Sequence, residues 1–254
     1  MYAILDLLIT LRCNARCANC IELCNSRDRT GLDYSDSDMT LGQIHNLVRQ
    51  VRELGVAPLF TTVSVTGGEP LLHPQVEQIV SVLRDGILAP GFAQEMRINT
   101  NGLLAPPAVL REFCVTYSTV STKPSEHNVC LLHPADFGGK THTFDSCPHY
   151  RKNRVVLSYQ GFSMCCAGDA YIRLFCRDDL ILDHLPATID GFPLREMGES
   201  ICRHCPFSGD TQNESSLLPL ERDRGCPVSI IYAKQVALNK AGRRITKRFP
   251  EVPQ

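Results

Sequence analysis

One local arrangement limits the fold more than any other: an apolar strand that runs directly into three closely spaced cysteines. Residues 3–11 form an almost unbroken apolar run, with Asp6 and Thr10 its only polar members. Cys13, Cys17 and Cys20 follow at once in a C-x3-C-x2-C spacing. A strand this apolar has both faces covered, as in the parallel sheet of an α/β protein. The chain must therefore build an interior around its first strand while holding three thiols at that strand's end.

The following sequence supplies the rest of such a sheet. Residues 25–39 are rich in Asp, Ser and Arg and read as a loop. Thr40 is placed to cap a helix whose apolar Leu41, Ile44, Leu47, Val48, Val51 and Leu54 share one face, and Gly55 ends it. Residues 58–65 read as a second strand closing on Thr66-Gly67-Gly68-Glu69-Pro70. Pro74 suits the first turn of a helix reaching Arg84, with Asp85-Gly86 as its stop. Residues 95–99 form a third strand ahead of Asn101-Gly102, and residues 113–120 a fourth. This alternation implies parallel pairing in an α/β fold, an open sheet or partial β/α barrel with its sites at the C-terminal strand ends.

After about Pro124 the pattern changes. Residues 127–150 are irregular, and residues 154–159 and 162–166, around Gln160-Gly161, read as a β-hairpin. The expected organisation is a partial β/α barrel over residues 1–140 and a small hairpin-plus-helix unit over residues 141–254.

The N-terminus has no basic region ahead of an apolar run and no small-residue cleavage site. No apolar stretch approaches the roughly 18 residues of a membrane span. A cytoplasmic protein without a membrane partner is expected. A formal net charge of −1 gives no whole-chain sign of nucleic-acid binding. Thirteen cysteines in such a chain, odd in number and tightly spaced, then point to metal or cluster ligation rather than disulfides.

Three thiolates as close as Cys13, Cys17 and Cys20 suit three irons of a 4Fe–4S cube, leaving the fourth iron open. A zinc site or buried free thiols is the plainer alternative. The triplet resembles the signature of the radical S-adenosylmethionine (SAM) superfamily, and three further segments match that family in order and spacing. Gly67-Gly68-Glu69-Pro70 resembles its GGEP motif, which holds the methionine amino group; glycines there would let the backbone approach the ligand. Asn99-Thr100 at the third strand's end, and Ser121 and Lys123 after the fourth, stand where the family places polar contacts to SAM. The family usually has an aromatic residue before the third cysteine, near the adenine. Here Asn19 offers an amide instead.

A second cysteine set resembles the short "twitch" form of the SPASM extension found in that superfamily. Cys147 precedes the hairpin, Cys165 ends it, and Cys202-x2-Cys205 completes the set. The resemblance implies an auxiliary 4Fe–4S cluster on Cys147, Cys165, Cys202 and Cys205. Adjacent strand residues face opposite ways, so Cys165 and Cys166 would not share one cluster, and Cys166 stands as the alternative ligand. In isolation a structural zinc site with four cysteines fits equally well. Cys24 reads as a buried free thiol; no catalytic residue is assigned, and a hydrogen-donor role for Cys226, of the kind some family epimerases use, is only the lesser of its readings. The basic residues Lys234, Lys240, Arg243, Arg244, Lys247 and Arg248 read as a solvated helix and terminus.

The resemblance implies reductive cleavage of SAM to a 5′-deoxyadenosyl radical, fed by an electron donor such as flavodoxin or ferredoxin. Short members with a twitch domain resemble the 2-deoxy-scyllo-inosamine dehydrogenase type. Oxidation of a small natural-product or sugar-like substrate is therefore expected, the second cluster accepting the electron. Crosslinking or epimerisation of a ribosomally made peptide is the alternative within enzymes. A non-catalytic zinc or iron–sulfur regulator is the alternative outside them.

Overall fold

The computed structural model describes residues 1–15, 20, 22–24, 31–117, 147, 150, 153–205, 233–242 and 247–252. Six strands form one sheet: β1 (Tyr2–Thr10), β2 (Phe60–Gly67), β3 (Ala93–Thr100), β4 (Cys114–Tyr117), β5 (Arg154–Ser158) and β6 (Gly161–Ser163). Their order is β4-β3-β2-β1-β5-β6. Every neighbouring pair is parallel except the β5–β6 hairpin. This is a mixed α/β fold with a parallel-dominated sheet, consistent with a partial β/α barrel.

The apolar run of β1 lies at the middle of the sheet, and its alternation sorts it between two interiors. Leu5, Leu7 and Ile9 join the core formed with the helices α1 (Leu41–Leu54) and α2 (Val76–Leu83). Leu8 and, past the strand's end, Leu11 join a second core with Val156, Met164 and Tyr171. Helix α1 is bounded as its sequence dictates. Thr40 Oγ1 accepts from the Gln43 N–H and the Gln43 side chain accepts from the Thr40 N–H, while Gly55 ends the helix at φ 64°.

Asp85-Gly86 does not stop α2. The helix passes into a π-helical turn over Arg84–Leu88. A Cβ at Gly86 would lie 2.6 Å from Cγ1 of Val48, so this glycine serves the close contact with α1. Pro74 also lies ahead of α2 rather than in its first turn.

The hairpin strand expected over residues 162–166 ends at Ser163. Cys165 is the N-cap of α3 (Cys166–Phe175). Beyond it lie α4 (Leu194–Ser200) and α5 (Ala233–Lys240). The expected division between residues 140 and 141 lies outside the described residues. The chain beyond it continues the first sheet, with β5 parallel to β1 from Ile4↔Arg154 to Leu8↔Ser158.

Residues 247–252 lie along the protein as a strap anchored by Phe249, with Arg248 exposed as the solvated reading expects. Phe249 is buried edge-on to Phe162 at 5.2 Å, and its carbonyl accepts from Gln43 Nε2 at 2.7 Å. Arg248 pairs with Asp36 and lies over the Tyr159 ring at 4.9 Å, and Lys247 donates to the Ile181 carbonyl. Lys240 is exposed, while Arg243 and Arg244 lie outside the described residues. No helix among the described residues is long and apolar enough to cross a membrane.

Candidate functional site

From β1 the chain runs outward to β4 on one side of the sheet and returns to β5 on the other. The carboxyl end of β1 is thus a topological switch point, where open parallel sheets bind ligands. Cys13 and Cys20 lie in the segment leaving this end, both half-buried, while Cys17 and Asn19 fall outside the described residues. The start of the loop is pinned firmly. Thr10 Oγ1 donates to Asp38 at 2.6 Å, and Arg12 donates through Nε and Nη2 to the same carboxylate at 3.0 and 2.6 Å. Arg12 Nη2 also reaches the Leu72 carbonyl at 2.9 Å. Beside Cys13 opens a cavity of about 290 Å³, lined by Leu11, Arg12, Leu32, Tyr34 and Leu72 among others.

Gly67 and Gly68 end β2 hard against this segment. The Gly68 N–H donates to the Thr10 carbonyl and the Glu69 N–H to the Arg12 carbonyl, both at 2.8 Å. A Cβ on Gly67, at φ +146°, would meet the Thr10 oxygen at 2.1 Å, and one on Gly68 the Arg12 oxygen at 2.2 Å. The first need for glycine here is therefore the approach of two protein backbones. This need stands beside the ligand approach expected of the same glycines.

Glu69 is fully buried. Its carboxylate accepts from the Leu71 N–H at 3.0 Å, Thr100 Oγ1 at 2.9 and 3.0 Å, and the Asn101 N–H at 2.7 Å. Pro70 opens a 3-10 turn over Pro70–Leu72. Asn99 donates to Ser64 Oγ at 2.6 Å, so its amide, like the Thr100 hydroxyl, is engaged with neighbouring strand ends. Ser121 and Lys123 lie outside the described residues.

Burial pushes the Cys13 thiol up, opposed by hydrogen bonds from the Ala15 backbone and the Asn101 amide. Cys20 is brought down to about 7, first by a hydrogen bond with Cys24, whose own thiol is pushed well up. Cys24 is buried behind Cys20.

Cys147, Cys165, Cys202 and Cys205 are all buried. Burial raises the Cys165 thiol, and the proximity of Cys205, Cys202 and Cys147 raises it further. Cys202 is pushed up to about 12 by burial and by Cys147. The Cys165 sulfur accepts the Gly168 N–H at 3.2 Å at the open start of α3. Cys166 is surrounded differently: after burial, Glu22, Asp6 and Arg154 act on it most strongly. The N-cap and first helical positions of α3 thus separate the two adjacent cysteines. Cys226 lies outside the described residues.

No protein-family model matches the chain. It is similar to GTP 3',8-cyclase of Synechococcus sp. (strain CC9902), 36% identical over 113 residues, 44% of this chain and 28% of that protein. It is similar also to GTP 3',8-cyclase of Xanthomonas campestris pv. campestris (strain B100), 35% identical over 121 residues, 46% of this chain and 32% of that protein. GTP 3',8-cyclases are radical SAM proteins, and in this chain the cysteine loop and the Gly67–Pro70 segment meet at one strand end. These similarities support a radical SAM superfamily protein. It spans about a third or less of the length of these curated relatives. Among solved structures, BtrN in complex with AdoMet and 2-DOIA is similar at a TM-score of 0.46, 14% identical over 85% of this chain and 91% of that one.

Sequence reasoning missed a buried charged group beside the cysteine loop. Arg173, on the inner side of α3, pairs with Asp169 and reaches the Glu22 carbonyl at 3.0 Å and carboxylate at 3.4 Å. Burial pushes Glu22 up to about 8, against the pull of Arg173. Asp6, also raised by burial, pairs with Arg154 at 2.6 Å. The only sequence signal was the Asp169–Arg173 spacing of four on a helix, which normally marks a solvated pair.

Proposed function

We propose that this protein is a radical SAM oxidoreductase that oxidises a small natural-product or sugar-like substrate. Its first cluster would be held by Cys13, Cys17 and Cys20, and an auxiliary cluster by Cys147, Cys165, Cys202 and Cys205. The observation that carries this reading is the second cysteine set: four buried sulfurs, close enough to oppose one another's ionisation, around the start of α3. Buried thiols that repel as thiolates call for a cation to replace their protons. A zinc ion would draw them to about 3.8 Å of one another, given Zn–S bonds of ~2.3 Å in tetrahedral array. Among the described residues no three His, Cys, Asp or Glu side chains converge as a single-ion site. A structural zinc ion on the same four cysteines is the alternative that iron and zinc analysis separates.

With its first cluster loaded and reduced by a flavodoxin- or ferredoxin-type donor, the centre supplies reductive cleavage of SAM and so a hydrogen-abstracting 5′-deoxyadenosyl radical. The protein's own residues position and shield. The Arg12–Asp38 pair and the Leu72 carbonyl hold the loop before Cys13. Leu11, Leu32 and Leu72 give the cavity beside it an apolar side, and the polar Arg12, Asp33 and Ser35 also line it. Residues 1–140 would form the SAM-binding part, residues 141–254 the auxiliary one.

The test is anaerobic turnover with SAM and a panel of candidate substrates. GTP belongs in the panel because the relatives are named for acting on it. One 5′-deoxyadenosine per product, and a product two hydrogens lighter than its substrate, is expected. Cys202→Ala should abolish product while leaving some SAM cleavage. A product of unchanged mass carrying solvent deuterium, lost in Cys226→Ala, would overturn the oxidation.

A further inference from the structure

Asn101 joins the cysteine loop to the GGEP segment through contacts that turn chemistry alone does not require. Its side-chain oxygen accepts the Leu103 N–H at 2.9 Å, which fixes the amide's orientation and leaves Nδ2 as the donor. That nitrogen donates to Asn14 Oδ1 at 2.7 Å and faces Cys13 Sγ at 3.7 Å. Its backbone N–H is held by the buried Glu69 carboxylate at 2.7 Å, which the Thr100 hydroxyl and Leu71 N–H also grip. Glu69 is thereby occupied with aiming β3's end at the cysteine loop.

We propose that Asn101 is a positioning residue that donates an outer-sphere hydrogen bond to the Cys13 sulfur and raises the potential of the cluster held there. This rests on the reading of Cys13, Cys17 and Cys20 as cluster ligands. A reduced cluster carries more negative charge on its sulfurs than an oxidised one, so a fixed N–H donor favours the reduced form. The buried amide is well placed for this, since neighbouring dipoles act more strongly where water is excluded.

The experiment compares the whole reconstituted protein with Asn101→Leu and Asn101→Asp, by iron content and by EPR-monitored redox titration of the first cluster. Asn101→Leu removes the donor at similar volume. Asn101→Asp keeps the acceptor for Leu103 and turns a negative oxygen toward the sulfur. In Asn101→Leu the ratio of reduced to oxidised cluster at fixed poise should fall about tenfold, or 59 mV for a one-electron couple, with iron unchanged. Asn101→Asp should shift further in the same direction. Unchanged potentials at full iron content would overturn the proposal. Loss of first-site iron from both variants would also overturn it, because Asn101 would then serve only to shape the loop. If the unaltered protein assembles no first cluster, the ligand reading itself fails and this inference falls with it.

Discussion

Placing one methyl group on Gly68 should dislodge the first cluster while leaving the second in place. The added Cβ would sit 2.2 Å from the Arg12 oxygen, 2.7 Å from the Arg12 carbonyl carbon and 2.9 Å from that of Leu11. All three are backbone atoms, so no side chain can swing aside. Relief requires a separation of roughly 1 Å between the end of β2 and the segment leading to Cys13. Overpacking of this kind costs about 1–3 kcal/mol. The separation also stretches the bonds from the Gly68 and Glu69 N–H groups, each contributing about 0.5–1.5 kcal/mol net. Together Gly68→Ala should cost about 2–6 kcal/mol, a large part of a typical domain's stability.

Arg12 immediately precedes Cys13, so the displacement falls on a proposed ligand. The assay is iron and sulfide content after anaerobic reconstitution, with urea unfolding alongside. Gly91→Ala is the control: that glycine has a left-handed φ of +82° but nothing within 4 Å of the added carbon. The control should lose only about 1–2 kcal/mol of conformational strain and no iron. Gly68→Ala should lose about half of its iron, as one cluster of two. Iron and stability in Gly68→Ala equal to those of Gly91→Ala would refute the backbone-contact argument.

Three further outcomes follow from the same geometry. The unaltered reconstituted protein should carry about eight irons, and Cys13, Cys17 and Cys20 changed together to Ala should leave about four; tightly bound zinc with a single cluster would refute the second assignment. Cys165→Ala should remove auxiliary-cluster iron whereas Cys166→Ala should keep it, since Cys165 faces Cys147, Cys202 and Cys205 and Cys166 does not; the reverse pattern in iron analysis would refute this. Arg154→Met should destabilise the protein by about 3–5 kcal/mol near pH 8, because it strands the buried Asp6 carboxylate. Burial already raises Asp6 above its unfolded value, so its contribution is intact below that value and is lost as pH rises through the folded one. The variant's deficit in urea unfolding should therefore shrink as pH falls from 8 toward the ordinary carboxylate range, and a deficit that grows would refute the assignment.

The elements easiest to read were those whose signals are local. Thr40 and Gly55 bound α1 by chemistry contained within their own turns, and the apolar run of β1 announced a strand covered on both faces. What escaped were residues whose role depends on partners far away in sequence. Asn101-Gly102 reads as a turn, and nothing in the sequence says that its amide meets Cys13, 88 positions earlier. Arg173 reads as a solvated helical cation, yet it is buried against Glu22, 151 positions away. Gly86 reads as a helix stop because its packing partner, Val48, lies on another helix.

The hairpin shows a signal that was present but outweighed. Its position among the cysteines suggested a small unit of its own, in which a short strand would bury one face only. Val155, Val156 and Leu157 are instead consecutive apolar residues, and all three are fully buried. Consecutive burial requires cover on both faces, the pattern of a strand inside a parallel sheet rather than of an isolated hairpin. Val155 and Leu157 enter the core under the helices, while Val156 enters the second core with Cys165, Cys202 and Cys205. Through β5 the second cysteine set is thus tied to the strand that carries the first. Any change that weakens the β1–β5 pairing should disturb both.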